Sequence, residues 1–113
     1  MHEISLLKEV VRVVEQTMEA NRLTKVDTVV LQIGELTNIV PHYMETSFPA
    51  AVYKTSLEGA KLRMEILPGM ARCRTCGKVF NVVSCKDACP QCTAKEFDVL
   101  SGEDFRIKEI LAC

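Results

Sequence analysis

Apolar side chains near the start of the chain recur at intervals of three and four residues. The positions are Ile4, Leu7, Val11, Val14 and Met18. That spacing places them on one face of an α-helix, and charged and polar residues fill the remaining faces. The pattern fades at residues 21–22, so we predict an amphipathic helix over about residues 4–20.

Three later stretches have the patterns of strands. Residues 26–33 are rich in β-branched side chains and are followed by Gly34, which predicts a strand with at least one buried face. Residues 62–66 alternate apolar and charged side chains, as a half-exposed strand does. Residues 105–110 predict a third strand.

A second helix is predicted from Pro41 to about residue 54. Proline suits the first turn of a helix, where its missing N–H would have no partner. The side chains expected to face inward are Met44, Phe48, Ala51 and Val52. Pro49 lies inside this segment, and we expect it to kink or split the helix because it removes a backbone donor and crowds the preceding turn.

Six cysteines change this picture, because four of them form two CxxC pairs. The pairs are Cys73 with Cys76 and Cys89 with Cys92, and twelve residues separate them. Each pair can direct two thiolates at one tetrahedral ion from a tight turn, and Gly77 relieves the backbone after the first pair. The pattern is typical of a zinc ribbon. Four protein ligands leave no open position, so we predict that these cysteines bind structural zinc.

The region after the first pair predicts further structure around the metal. Four apolar residues could form a small hairpin against it: Val79, Phe80, Val82 and Val83. Cys85 lies outside both pairs and is expected to be a loop thiol, with ligand exchange left open. Cys113 is expected to be an exposed free thiol.

Two other uses of the CxxC pairs stay open from the sequence. The cysteines could form two disulfides or remain buried free thiols, although a reducing compartment disfavours disulfides. An iron site of the rubredoxin type also uses two CxxC turns. The short separation of the pairs and the 5% aromatic content favour zinc.

The order of these elements predicts an α+β fold. Two helices and a mainly three-stranded sheet would form one small domain, with a zinc-ribbon-like four-cysteine domain inserted before the last strand. We therefore place the α/β domain at residues 1–70, completed by the C-terminal strand at 104–113. The zinc-binding domain is placed at residues 71–103.

Composition and charge exclude several functions. The chain of 113 residues with 48% hydrophobic side chains can bury the core of one ordinary domain, and a metal ion can replace part of a small core. A formal net charge of −1 argues against nucleic acid as a partner. No apolar run reaches the roughly 18 to 20 residues of a membrane span, and the first residues do not resemble a secretion signal, so we expect a cytoplasmic protein.

The first three residues hold a second group of candidate metal ligands. His2 is expected to protect Met1 from removal, so the Met1 amine, the backbone nitrogen and imidazole of His2 and a group from Glu3 lie within a few bonds of each other. Such a nitrogen-rich set favours nickel or copper. A solvated terminal histidine is the common alternative.

Several short motifs resemble the HypA/HybF family of hydrogenase maturation factors. They are Met1-His2-Glu3-Ile4-Ser5-Leu6, Gly34-Glu35-Leu36, Glu58-Gly59-Ala60 and the two CxxC pairs. The resemblance implies a nickel metallochaperone that is not an enzyme, with His2 as the Ni(2+) ligand assisted by the Met1 amine and Glu3. It also implies structural Zn(2+) on the four cysteines. The implied partners are a GTPase, HypB, and the large subunit of NiFe hydrogenase.

This chain departs from the family pattern at a few positions. Thr93 stands where glycine is commoner, Pro49 interrupts the second helix, and His42, which we expect at the surface, stands where an acidic residue is usual. On its local sequence alone, Glu35 is a solvated turn residue. The alternative function is a zinc-ribbon module that binds nucleic acid or protein. The sequence leaves open a homodimer, the hydrogenase served and any role for urease.

Overall fold

Two helices and six strands make up the part of the chain that the computed structural model describes, residues 3–112. The elements are α1 (Glu3–Ala20), β1 (Val26–Gly34), a 3-10 turn (Glu35–Thr37), α2 (Pro41–Val52), β2 (Lys61–Leu67), β3 (Met70–Cys73), β4 (Val79–Asn81), β5 (Phe97–Val99) and β6 (Phe105–Ala112). The strands form two three-stranded sheets in the orders β2-β1-β6 and β4-β3-β5. The predicted α+β fold is confirmed.

α1 buries the face that its apolar spacing predicts. The buried side chains are Leu7, Val10, Val11, Val14 and Met18. The helix ends in a Schellman motif, in which Arg22 adopts a φ of 55° and the amide of Leu23 donates to the carbonyl of Met18 at 2.8 Å. This bond satisfies a carbonyl that the helix would otherwise leave without a partner.

β1 is the central strand of its sheet and is buried on both faces. On one face, Thr28, Val30 and Gln32 are at most 8% exposed. On the other face, Val29, Leu31 and Ile33 are at most 1% exposed. One cause lies in the flanking strands, where Lys108 of β6 pairs with Glu65 of β2 at 2.8 Å. Because β2 and β6 lie on either side of β1, this ion pair reaches across it.

α2 continues through Pro49, so the expected split does not occur. Pro49 is exposed, while Phe48 and Ala51 beside it are buried. The proline ring therefore lies on the solvent side, where water can satisfy the carbonyl that loses its donor. Burial of the opposite face outweighs the cost of the missing hydrogen bond.

Contacts between residues divide the chain into two compact units. The first contains the described residues up to Leu31, Ile39–Glu65 and the chain from Arg106 onward, and within it α1 packs against α2. The second contains Gln32–Asn38 and Ile66–Phe105. Nothing in the sequence pattern indicated that Gln32–Asn38 would join the second unit.

The sheet of the second unit is built on β3, which pairs antiparallel with β4 and β5. The register places Ala71 opposite Phe80 and Val99, and Cys73 opposite Phe97. The hairpin near the metal is therefore formed by β3 and β4. Val82 and Val83, which we expected within it, lie beyond β4; Val82 is buried and Val83 is 52% exposed.

Candidate metal centre

The two CxxC turns have the same backbone hydrogen bonds. In the first turn the amide of Gly77 donates to the carbonyl of Cys73, and the amide of Cys73 donates to the carbonyl of Lys78, both at 2.9 Å. In the second turn Thr93 and Cys89 make the equivalent bonds, also at 2.9 Å. The repeated geometry presents two sulfurs from each turn.

The four sulfurs converge on one point. Cys73, Cys76, Cys89 and Cys92 have all their Sγ atoms within 4.8 Å of one another. The pairs Cys73–Cys92 and Cys76–Cys89 are each 3.5 Å apart, too far for a disulfide bond of about 2.05 Å. Tetrahedral Zn–S bonds of about 2.3 Å place sulfurs about 3.8 Å apart, so the donor set fits such an ion.

Backbone amides and neighbouring thiols control which sulfurs ionise. The amide of Cys76 donates to the Cys73 sulfur and lowers the pKa of that thiol to about 6, against the effect of burial. Burial raises the pKa of Cys89, but amides of its own turn outweigh burial and lower it. Amides also act to lower the pKa of Cys76 and Cys92. In these two thiols, burial and neighbouring cysteine sulfurs outweigh the amides and raise the pKa, which reaches about 12 for Cys92.

This mixture of thiolates and thiols follows from crowding four sulfurs together. Like charges at this separation oppose full ionisation, so thiols remain beside thiolates. A divalent cation removes that repulsion and displaces the remaining protons. The cluster is therefore arranged to bind a cation.

An apolar shell surrounds one side of the cluster. Cys73 is 2% and Cys89 1% exposed, and they share a buried cluster with Ala71, Phe80 and Val82. The ring of Phe80 meets that of Phe97 edge to face, with centroids 5.5 Å apart. Such packing fixes the two inner ligands and limits the access of water.

The two turns differ at the residue that follows each pair. Gly77 has a φ of 79° and Thr93 a φ of 62°, so both occupy the left-handed region. Glycine adopts this conformation without a steric penalty, whereas a β-branched residue does not. Thr93, which stands where the family commonly has glycine, therefore occupies a backbone conformation that favours glycine.

The remaining candidate residues lie elsewhere. Within residues 3–112 the four cysteines are the one cluster of histidine, cysteine and acidic residues that could hold a metal ion. Cys85 is half-buried and packs against the apolar shell. Met1, His2 and Cys113 lie outside the described residues, while Glu3 is half-buried in the first turn of α1. His42 is exposed, as expected.

Sequence reasoning missed the contacts of Glu35. Its Oε1 accepts hydrogen bonds from the amide of Gly69 and from Nδ2 of Asn81, each at 2.9 Å. The Gly69 amide, and then the Asn81 side chain, hold the pKa of Glu35 below its usual value. Both partners are more than 30 residues away in the sequence, so no local pattern could have revealed them.

Comparison with known proteins decides the family. The family described as "Hydrogenase/urease nickel incorporation, metallochaperone, hypA" matches residues 1–112. The chain belongs to the HypA family. Membership places it among the nickel metallochaperones of hydrogenase maturation, and its four-cysteine cluster could hold a metal ion.

Individual HypA relatives match over almost their whole length. Hydrogenase maturation factor HypA of Geobacter metallireducens is 41% identical over 110 residues, 97% of each chain. HypA of Desulfitobacterium hafniense (strain DSM 10664 / DCB-2) is 37% identical over 110 residues, 97% of this chain and 96% of that one.

Solved HypA structures share the fold. The solution structure of the Ni metallochaperone HypA from Helicobacter pylori matches with a TM-score of 0.68 at 20% identity, covering 99% of this chain and 97% of that chain. A second solution structure of a HypA protein has a TM-score of 0.71 at 21% identity. No helix within residues 3–112 is long and apolar enough to cross a membrane.

Proposed function

We propose that this protein binds Ni(II) at its N-terminus and delivers it during the maturation of NiFe hydrogenase. The observation that carries the proposal is the HypA family match across residues 1–112. Delivery requires a site that selects nickel and then releases it to another protein. The chain therefore acts as a carrier and not as an enzyme.

The four-cysteine cluster holds zinc in this proposal, not the nickel that is delivered. Four thiolates in a tetrahedral arrangement favour zinc and leave no coordination position through which a metal could be handed on. The burial of Cys73 and Cys89 supports slow exchange at this site. The role of the zinc ion is structural.

The nickel site is assigned to the first three residues. His2 supplies its imidazole, Met1 its amine, and Glu3 assists. The support is chemical, since a nitrogen-rich donor set at a free terminus suits nickel in square-planar or tetragonal geometry. The family resemblance of the motif that begins at Met1 points to the same atoms.

The transfer needs partners that this chain does not replace. The sequence contains no Gly-rich phosphate loop, so GTP hydrolysis belongs to a GTPase partner, HypB. The recipient is the large subunit of NiFe hydrogenase. Reduced cysteines suit a cytoplasmic location for this exchange.

Calorimetric titration of nickel tests the N-terminal site. We expect the untagged protein to bind one nickel ion and His2→Ala to lose that binding, because the substitution removes the only side-chain nitrogen among the first three residues. Zinc content should stay unchanged. An N-terminal tag without histidine should also abolish binding, because it converts the Met1 amine into an amide that is a poor donor at neutral pH.

A C-terminal tag is the matched control, since it leaves the Met1 amine free, and it should preserve nickel binding. His42→Ala is a second control, because it removes the other histidine of the chain from an exposed position. Equal nickel affinity in the untagged, N-tagged and His2→Ala proteins would exclude the N-terminal site. Metal analysis of the same samples identifies the ion on the four cysteines.

A further inference from the structure

Residues 34–36, the Gly-Glu-Leu segment at the end of β1, are held by the chain around the cysteines. The amide of Gly34 donates to the carbonyl of Asp104 and the amide of Leu36 to that of Gly102, both at 2.8 Å. This segment and the residues that accept its hydrogen bonds belong to the same compact unit, which also includes the four cysteines. We call residues 34–36 the clasp.

The side chain of Glu35 fastens the clasp at two further points. Its Oε1 accepts from the amide of Gly69, which precedes β3, and from Nδ2 of Asn81, the last residue of β4. Asn81 is fixed in turn, because its Oδ1 accepts from the amide and hydroxyl of Ser84 at 2.9 and 3.0 Å. The carboxylate thus joins the clasp to the end of β4 and to the residue that precedes β3.

The side chain of Leu36 reaches the metal site itself. It packs against the buried cluster that contains Cys73, Cys89 and Phe80. Asn81, which donates to Glu35, is the chain neighbour of Phe80, a member of the cluster against which Leu36 packs. Both contacts depend on the fold that the cysteine ligands hold in place.

Three glycines allow the chain segments to meet this closely. A Cβ on Gly34 would lie 2.1 Å from the Gly102 carbonyl oxygen, and one on Gly102 would lie 2.6 Å from the Cα of Gly69. A Cβ on Gly69 would lie 2.6 Å from Leu36. The first two separations are to backbone atoms and exclude a larger residue at Gly34 or Gly102 without movement of the backbone, and at Gly69 the side chain of Leu36 would have to move.

We propose that the clasp is a metal-dependent device: zinc on the four cysteines closes it, and loss of zinc releases residues 34–36. The sheet β4-β3-β5 of the second unit has strands of only three or four residues, so we expect the fold of this unit to depend on the metal. The anchors at Gly69, Asn81 and Gly102 lie on that metal-dependent chain. Zinc therefore orders a segment that lies more than 30 residues before the first cysteine ligand.

Glu35 is the positioning residue of this device. It touches no ligand sulfur and acts through Asn81 and Gly69. The inference rests on zinc being the ion in the proposed site. Metal analysis therefore comes first in the test, so that failure of the zinc assignment is distinguished from failure of the clasp.

The test is amide hydrogen exchange, measured by NMR on the full-length protein. One sample has zinc bound, and in the other a chelator has removed the zinc under reducing, anaerobic conditions. Removal should accelerate exchange at Gly34, Leu36 and Gly69 by at least about tenfold, since their bonds open with the metal-side fold. Amides in the middle of α1 should not change. Continued protection of Gly34 and Leu36 in protein shown to be zinc-free would overturn the proposal.

A charge swap tests Glu35 with zinc bound. Asn81→Asp places two carboxylates together and should accelerate exchange at Gly69 and Leu36. Adding Glu35→Gln should restore protection, because it removes the repulsion between the two carboxylates while the glutamine oxygen still accepts from the amide of Gly69. If Glu35 and Asn81 instead acted independently of each other, the amides of Gly69 and Leu36 would exchange faster in the double variant than in either single variant.

Glu103→Gln is the matched control for Glu35→Ala. It removes one exposed carboxylate from the same unit, and no described side chain pairs with it. Glu35→Ala should open the clasp while zinc stays bound, and Glu103→Gln should leave every clasp amide protected. Equal exchange at Gly69 in these two variants would exclude the role of Glu35.

Discussion

Thr93 carries backbone strain that its counterpart Gly77 does not. Both residues follow a CxxC pair with a positive φ, and both donate their amide to the first cysteine of the pair. A β-branched side chain in the left-handed region costs roughly 1–2 kcal/mol, whereas glycine has no such cost. The second turn is therefore the weaker half of the cysteine site.

Substitutions at Thr93 and Gly77 should change the stability of the protein in opposite directions. Thr93→Gly should stabilise the zinc-loaded protein by about 1 kcal/mol, because the relief of strain exceeds the added freedom of the unfolded chain. Gly77→Ala should destabilise it by a similar amount through φ alone, since no atom lies within 4 Å of the added Cβ. Denaturant unfolding of both variants with zinc bound measures the difference, and a destabilised Thr93→Gly would contradict the argument.

The sheet of the second unit is too small to be stable on its own. β3 has four residues, and β4 and β5 have three each. Strands this short bury little area, whereas zinc binding provides on the order of 10 kcal/mol. At the scale of elements, the metal adds to the small apolar cluster of this unit, while α1 has an apolar face of its own.

Loss of zinc should therefore unfold the cysteine region without unfolding α1. Cys76→Ser or Cys92→Ser should disorder residues of roughly 71–103, while α1 stays folded and nickel still binds, because α1 packs within the other unit. Cys85→Ser is the matched control and should keep one zinc per chain, since Cys85 lies outside the cluster of four sulfurs. Metal content and amide protection measure both effects. Intact zinc stoichiometry in the ligand variants would show that the ligand set is wrong.

The two proposed metal sites should respond differently to acid across the whole molecule. Nickel needs the neutral imidazole of His2, so protonation below its unperturbed pKa of roughly 6.5 removes a donor and binding falls as pH falls. Zinc should persist there, because four convergent sulfurs, two of them buried, hold the ion with a closed ligand set. Metal analysis of protein equilibrated at about pH 7.5 and about pH 6 should show that nickel alone is lost. Loss of both metals together would contradict separate sites.

The sequence by itself determined the parts of this protein that local chemistry controls. Apolar spacing defined α1, alternation and β-branching defined β1, β2 and β6, and CxxC spacing selected the four sulfurs that converge. These signals are local because helix and strand periodicity and a two-residue ligand spacing each act over a few residues. The motif that begins at Met1 added the proposed nickel site, which stays a prediction.

Only the tertiary structure decided the features that depend on distant partners. β1 is the central strand of its sheet because β2 and β6, far away in the sequence, pair with its two edges, and the Lys108–Glu65 ion pair reaches across it. Pro49 stays within α2 because burial of Phe48 and Ala51 outweighs a local helix-breaking preference. Glu35 is fixed by Gly69 and Asn81, which lie 34 and 46 residues away. Such contacts leave no local pattern, because they exist only when the folded chain brings their partners together.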